Sequence, residues 1–274
     1  MWKVARMARE QGWNREEATR MIRENMPRPP SPSDEVESTM SKAWDTGKKG
    51  VPTPSTRVEP LDRDEVFQGE MDLWDLMDAS PVRIPDKHTT ALWLETMYGS
   101  DEMLFIGQNY TRGRLGASIR SAGDWAALSR RYGLCEQIIA NPLSGRESIT
   151  LSGEPTYRGK NCIGSFRYRL FECDAEGVTL TEQAFLLYSK RREWNLRSIV
   201  WSGGKSLHGI CELSPPKKDL SAWERFSRGK FCRELEAHWC DPSVKNPDRL
   251  TRVPGVNRMD KNRPQRLLWL RGRG

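Results

Sequence analysis

Residues 165–174 (SFRYRLFECD) alternate with a period of two, and this run restricts the chain more than any other feature of it. Side chains two apart on a strand share a face, so Phe166, Tyr168, Leu170, Glu172 and Asp174 fall on one side, with two carboxylates at its end. A helix must follow, because Thr179 with Glu182 three residues on is a capping box; the pattern carries it to about residue 191. A second strand is predicted over 195–201. The glycine turn Ser202-Gly203-Gly204-Lys205 then leads to a third strand over 206–213, which puts His208 and Ile210 on the same side. Ser221 with Glu224 repeats the capping signature and opens a helix to His238 or Trp239, with Trp223, Phe231, Leu235 and Trp239 on one face. A last strand is predicted over 265–270.

Upstream the pattern is mixed, with helices predicted over 64–77 and 89–98 and a short strand over 103–106. Residues 1–46 read as helical in three pieces, with Val4, Met7 and Ala8, then Ala18, Met21 and Ile22, at helical spacing. Residues 47–60, rich in Gly, Pro, Thr and Ser, read as a linker. The expected organisation is a helical accessory module (1–46), the linker (47–60) and a main domain (61–274), within what 274 residues can bury.

The net charge of +7 is segregated: residues 214–274 hold 15 Lys/Arg against 7 Asp/Glu, and the remainder is close to balance. A localised basic field suits a polyanionic partner, although a solvated basic surface has the same composition. No apolar run approaches the roughly 20 residues that a spanning helix needs, so no membrane partner and a cytoplasmic location are expected. Six cysteines without CxxC spacing read as reduced, mostly buried thiols. Cys232, His238 and Cys240 are close enough in sequence to consider a metal, with helix packing the commoner explanation.

Three segments carry chemistry. Glu172-Cys173-Asp174 aims two hard oxygen ligands at one point, the arrangement magnesium prefers; Asp174-Ala175-Glu176 offers the same spacing, and solvated carboxylates before a turn offer a plainer account. Glu172 is preferred because it lies inside the apolar strand, where an unpaired carboxylate is costly. The segment from Trp201 to His208 is not a Walker A motif, since Ile199 stands where the first glycine of GxxxxGK[ST] must be. It offers a glycine turn, Lys205 and Ser206 able to bind phosphate oxygens, and an inward His208; a plain hairpin with a buried histidine is the alternative. The third segment, from Asp241 to Arg258, supplies Asp241, Asp248 and an arginine-rich turn containing Arg252 and Arg258, whose guanidinium groups suit triphosphate oxygens.

In order and character, ECD, SGGKSLH and DPSVKNPDRLTRVPGVNR resemble the three motifs of archaeo-eukaryotic primases: a carboxylate pair, an S-x-H, and an acidic residue followed by an R-L-x-R-x-P-G turn. The likeness spans about residues 161–270 and is closest to the small primase-polymerases of phages and mobile elements. Glu172 departs from the pattern, since many members carry Asp there. The stretch EEATRMIRENMPRPPSPSDEVESTMSKAW is similar to a helical module that accompanies such primases, usually on their C-terminal side. The resemblance implies a mixed α+β catalytic core with an RRM-like sheet bearing the site, and template-dependent nucleotidyl transfer with two Mg²⁺ or Mn²⁺ ions. It assigns Glu172, Asp174 and Asp241 to the metals, and Lys205, Ser206, His208, Arg252 and Arg258 to the triphosphate. It further implies a single-stranded DNA template, NTP or dNTP substrates, a separate replicative helicase, and a bacterial or phage-infected host. A competing reading is a non-catalytic single-strand-binding replication protein with a decayed metal site, in which Trp194, Trp201, Trp239 or Trp269 stacks on bases.

Overall fold

The structure, a computed structural model, describes residues 59–150 and 153–272. The accessory module expected over 1–46, and the linker apart from its last two residues, lie outside the described residues. Two short helices, α1 (Arg63–Val66) and α2 (Leu73–Asp78), replace the single helix expected over 64–77. Asp62 and Asp72 cap them, each accepting a backbone N–H two residues on. Gly69 breaks the helix between them at a close crossing, where a Cβ would come within 3.0 Å of the Phe185 ring. Helix α3 (Thr89–Met97) and strand β1 (Met103–Gly107) fall where their patterns placed them.

Next come β2 (Ile119–Ser121), α4 (Ala122–Ser129), β3 (Gln137–Ile139) and a small ribbon of β4 (Ser148–Ile149) with β5 (Pro155–Thr156). Then β6 (Phe166–Glu172), α5 (Leu180–Ser189), β7 (Leu196–Trp201) and β8 (Leu207–Lys217) follow the predicted succession, with both halves of the Thr179–Glu182 capping box formed. Strand β6 stops at Glu172, so Asp174 lies just past its end. Arg169 and Phe171 are also buried, so both faces of β6 are covered; the alternation survives because Arg167 and Arg169 pair with Glu102 and Glu234.

The second capping signature is not used. Helix α6 (Leu220–Phe226) is capped by Asp219, which accepts from Ala222 N at 2.7 Å, while Ser221 and Glu224 engage Arg225 and Lys160. A π-helical segment, Ser227–Phe231, joins it to α7 (Cys232–Ala237). Trp223, Phe231 and Leu235 are buried as expected, but Trp239 has φ +58°, is 38% exposed and donates to Leu61 O. The chain closes with β9 (Leu250–Arg252), the ribbon of β10 (Asn257–Arg258) with β11 (Arg263–Pro264), and β12 (Arg266–Leu270).

The strands make two four-stranded antiparallel sheets, ordered β2-β1-β3-β9 and β12-β7-β8-β6, so the fold is α+β. The main core packs α3 and α5 on the second sheet, with Trp93, Phe171, Trp194, Ile199, Ile210 and Leu267 buried. Trp194 stacks flat on Phe171 at 3.9 Å, and truncating an aromatic side chain buried this way costs about 3–5 kcal/mol. A smaller core lies around Phe105, Ile139, Phe166 and Trp223. No helix among the described residues is long and apolar enough to cross a membrane.

The cysteines correct the reading of six reduced thiols. Cys173 and Cys240, 67 residues apart and both buried, form a disulfide. Sequence spacing carries no signal for a pair formed only when the end of β6 meets the segment after α7. That pairing, with Cys232 bonded to Glu236 and His238 Nδ1 to Glu234 O, also removes the Cys232–His238–Cys240 metal group. Cys162 and Cys211 are buried, and burial pushes the Cys211 thiol up to about 12; Cys135 is exposed. Denatured protein should titrate four thiols without reductant and six after reduction, with Cys135 reacting first in the native state. Six thiols without reductant would contradict the pairing.

Candidate active site

Glu172 ends β6 directly across from His208 on β8, and Glu172 Oε1 lies 3.3 Å from His208 Nε2. The His208 ring is buried and held twice more, by Ser206 Oγ 3.3 Å from Nε2 and Thr251 Oγ1 3.1 Å from Nδ1. Burial lowers its pKa below the ordinary histidine value; Glu172 opposes the shift and Arg252 reinforces it. The ring is therefore neutral near pH 7 and has one N–H. A carboxylate only accepts, so the proton sits on Nε2 facing Glu172, and the Thr251 hydroxyl donates to Nδ1.

The turn between β7 and β8 is fixed from three sides. Gly203 has φ +71°, and a Cβ there would meet the Arg263 and Pro264 carbonyl oxygens at 3.2 Å, so glycine is required. Trp201 Nε1 donates to Gly204 O at 2.8 Å. Gln183, fully buried on α5, donates to Lys205 O and accepts from Leu207 N, clamping the peptide groups around Ser206. The Lys205 side chain is 77% exposed and reaches Asp174 Oδ2 at 3.1 Å. Ser206 Oγ is 3.2 Å from Ser202 Oγ. Glu176, the alternative to Glu172 in the acidic pair, is exposed.

Asp241 arrives from the far segment, its N–H donating to Glu172 O at 2.8 Å. With the Cys173–Cys240 disulfide beside it, this bond joins the two carboxylate-bearing segments. The Asp241 side chain caps the 3-10 turn Pro242–Lys245, accepting from Ser243 N and Ser243 Oγ, and lies 3.5 Å from Arg249. Arg249 thus pairs with Asp241, eight residues back in the chain. Asp248 acts electrostatically on Arg158 and Cys162, the first of which stacks over Phe105 in the smaller core.

Arg252, on β9 of the other sheet, lies 3.6 Å from Glu136, and both side chains are largely buried. Glu136 Oε2 also accepts from Met259 N at 3.0 Å, and its carbonyl accepts from Val253 N. Glu136 thus holds Arg252 and the start of the following loop together. Arg258 pairs twice with Asp260, at 2.7 and 3.0 Å, and the Arg258 and Lys261 side chains border Gly204. Glu136, Thr251 and Gln183 are structural parts of the site that sequence reading missed; only the β3–β9 and α5–β8 packing brings them in, and no local spacing signals it. Trp194 and Trp269 are core residues, which removes them as base-stacking candidates.

Among the described residues no three His, Cys, Asp or Glu side chains are grouped to hold a metal ion. The donor chemistry still suits a hard cation. Glu172 and Asp174 are mostly buried carboxylates with 19% and 20% of their side chains exposed, each faced by an N–H donor or an ammonium group. These two could hold one. Asp241 could join them only by leaving Ser243 and Arg249.

No protein-family model matches the chain, and no curated protein matches it. Among solved structures it is similar to the AEP domain of the cyanophage S-2L primase-polymerase, with 16% identity over 69% of this chain and 91% of that one and a TM-score of 0.41. It is also similar to the polymerase domain of Mycobacterium tuberculosis ligase D in complex with DNA, with 16% identity over 77% of this chain and 85% of that one and a TM-score of 0.31.

Proposed function

We propose that this protein is a primase-polymerase, joining NTPs or dNTPs on a single-stranded DNA template. The observation that carries the reading is that three segments distant in sequence meet: Glu172 touches His208, Asp174 touches Lys205, and the Asp241 backbone bonds to Glu172. These are the same segments whose residue types match the primase motifs. The site is also built of paired opposites, Lys205 with Asp174, Arg252 with Glu136 and Arg258 with Asp260. A metal–triphosphate complex carries both signs, so it can take the place of such pairs: carboxylates turn to the metal and cations to the phosphates.

Glu172 and Asp174 would hold Mg²⁺ or Mn²⁺, with Asp241 as the proposed third ligand. The ions, when bound, activate the attacking hydroxyl and neutralise the leaving pyrophosphate. The protein's own part is orientation. His208 Nε2–H steers the Glu172 carboxylate, while exposed Lys205 and the two arginines bind phosphate oxygens; Ser206 and His208, both buried, contribute from behind the turn. One observation favours the non-catalytic reading: all three carboxylates have protein partners. Template-dependent incorporation of labelled nucleotides with Mg²⁺ or Mn²⁺ separates the two.

Glu172→Ala and Asp174→Ala should each lower synthesis on the order of 100-fold or more, and the double variant should lose little further, because both act on the same ions. Asp241→Asn should lose activity while Asp248→Asn keeps it; the reverse would move the third ligand. Calorimetric Mn²⁺ titration of the same variants reads metal binding apart from turnover.

Glu136 should act through Arg252. Glu136→Ala is expected to raise the nucleotide KM roughly 3- to 10-fold, about 1 kcal/mol of lost orientation, with kcat changed less. Glu136→Gln keeps an acceptor for Met259 N–H but not the charge, so recovery by Gln would mean that the loop bond matters more than the ion pair. A kcat loss with KM unchanged would exclude a positioning role toward nucleotide.

A further inference from the structure

A groove of about 350 Å³ lies between the residues preceding α3, those following α4, and the turn after β9; Lys87, His88, Arg131, Tyr132 and Gly255 are among its lining. Among the described residues no Asp or Glu lines it. Arg130, at its rim, is held by Glu95 at 2.6 Å, but Lys87 and Arg131 are exposed with no carboxylate partner among the described residues. Tyr132, in the same lining, is 66% exposed and presents an aromatic ring to solvent. The volume falls in the range of about 300–1,000 Å³ usual for sites that enclose small groups.

The floor is rigid. Gly255 has φ +81°, and a Cβ on it would sit 2.7 Å from Thr90 Oγ1, which itself donates to Pro254 O at 2.6 Å. That turn connects β9, which ends in Arg252, to β10, which contains Arg258. Unpaired cations along a concave wall and one free aromatic face are the two elements by which single strands are held without sequence preference: charge for the phosphates, a ring for a base. The basic excess of residues 214–274 contributes nothing to these cations, which come from the middle of the chain.

We infer that this groove binds a segment of single-stranded DNA, Lys87 and Arg131 contacting phosphates and Tyr132 stacking on a base, and that it guides the template toward the nucleotide site. The inference rests on the polymerase reading for the identity of the strand, but the groove is assigned from its own residues.

The test is binding of a fluorescent oligo-dT to the full-length protein by anisotropy across a salt series, without nucleotide or metal. The Lys87→Glu/Arg131→Glu double variant should lose at least tenfold in affinity, and its slope of log affinity against log salt should fall by about 1.4, the release expected for two single-strand phosphates. Tyr132→Ala should lose several-fold with the slope unchanged, and Tyr132→Phe should restore binding. Melting temperatures and Mn²⁺-dependent nucleotide binding should match wild type in all of them. Wild-type affinity and slope in the double variant would overturn the groove assignment while leaving the polymerase reading intact. Equal displacement of the oligonucleotide by polyglutamate would overturn it in favour of an acidic peptide. A wild-type protein that binds no oligonucleotide would remove both.

Discussion

The register of β8 between β6 and β7 decides where every candidate catalytic group ends up. His208 stands opposite Glu172 on one side and Val200 on the other. Side chains alternate along a strand, so a slip of one residue would exchange His208 for Leu207 or Gly209 and turn the imidazole toward α5. Gly209 pins the register from that opposite face: a Cβ there would meet Leu187 Cδ2 of α5 at 2.7 Å, so only a residue without a side chain lets the helix lie this close. The Gln183 clamp on Lys205 and Leu207 works in the same direction. Helix α5 therefore does more than cover the sheet, since it fixes the turn that presents Lys205.

A second sheet completes the site. Strand β9 belongs with β1, β2 and β3, yet Thr251 reaches His208 and Arg252 lies close enough to Glu172 for their charges to interact. The two sheets meet at one imidazole, which is neutral because it is buried and because Arg252 lies near. Had it been protonated, Glu172 would be neutralised by the histidine and would be a poorer ligand for any cation. A neutral ring adds no opposing charge at Glu172, while its Nε2–H orients the carboxylate.

The parts of the chain legible in advance were those whose signals are local. The alternation of 165–174, the Thr179–Glu182 capping box and the Gly203 turn each state their own geometry; the structure has the capping box and the turn, and the strand as far as Glu172. At the start of α6 two residues able to accept N–H groups, Asp219 and Ser221, stand two apart, and it is Asp219 that caps the helix. Strands β2, β3 and β9, of three residues each, are too short for a period to register. Glu136 and Thr251 were invisible for that reason, as their roles come only from the pairing of β3 with β9. Cys173 with Cys240 and Arg249 with Asp241 depend likewise on a chain reversal that no spacing announces.

The turn from Val253 to Val256 carries an unusual share of constraint for four residues. On one side it is sealed to α3 by Thr90, and beyond it the Gly255 N–H donates to Gln265 O and the Gln265 N–H to Val256 O, tying it to the approach to β12. Arg252 and Arg258 leave it in opposite directions along the chain, each with its own carboxylate partner. A segment so tied cannot move independently of α3, of the edge of the second sheet or of the two arginines. The basic groove uses the same turn as its floor, so a strand lying there and a nucleotide held by the arginines would share one wall. Their spacing would be set by backbone hydrogen bonds and not by flexible side chains, which is the arrangement that orienting two reactants in register requires.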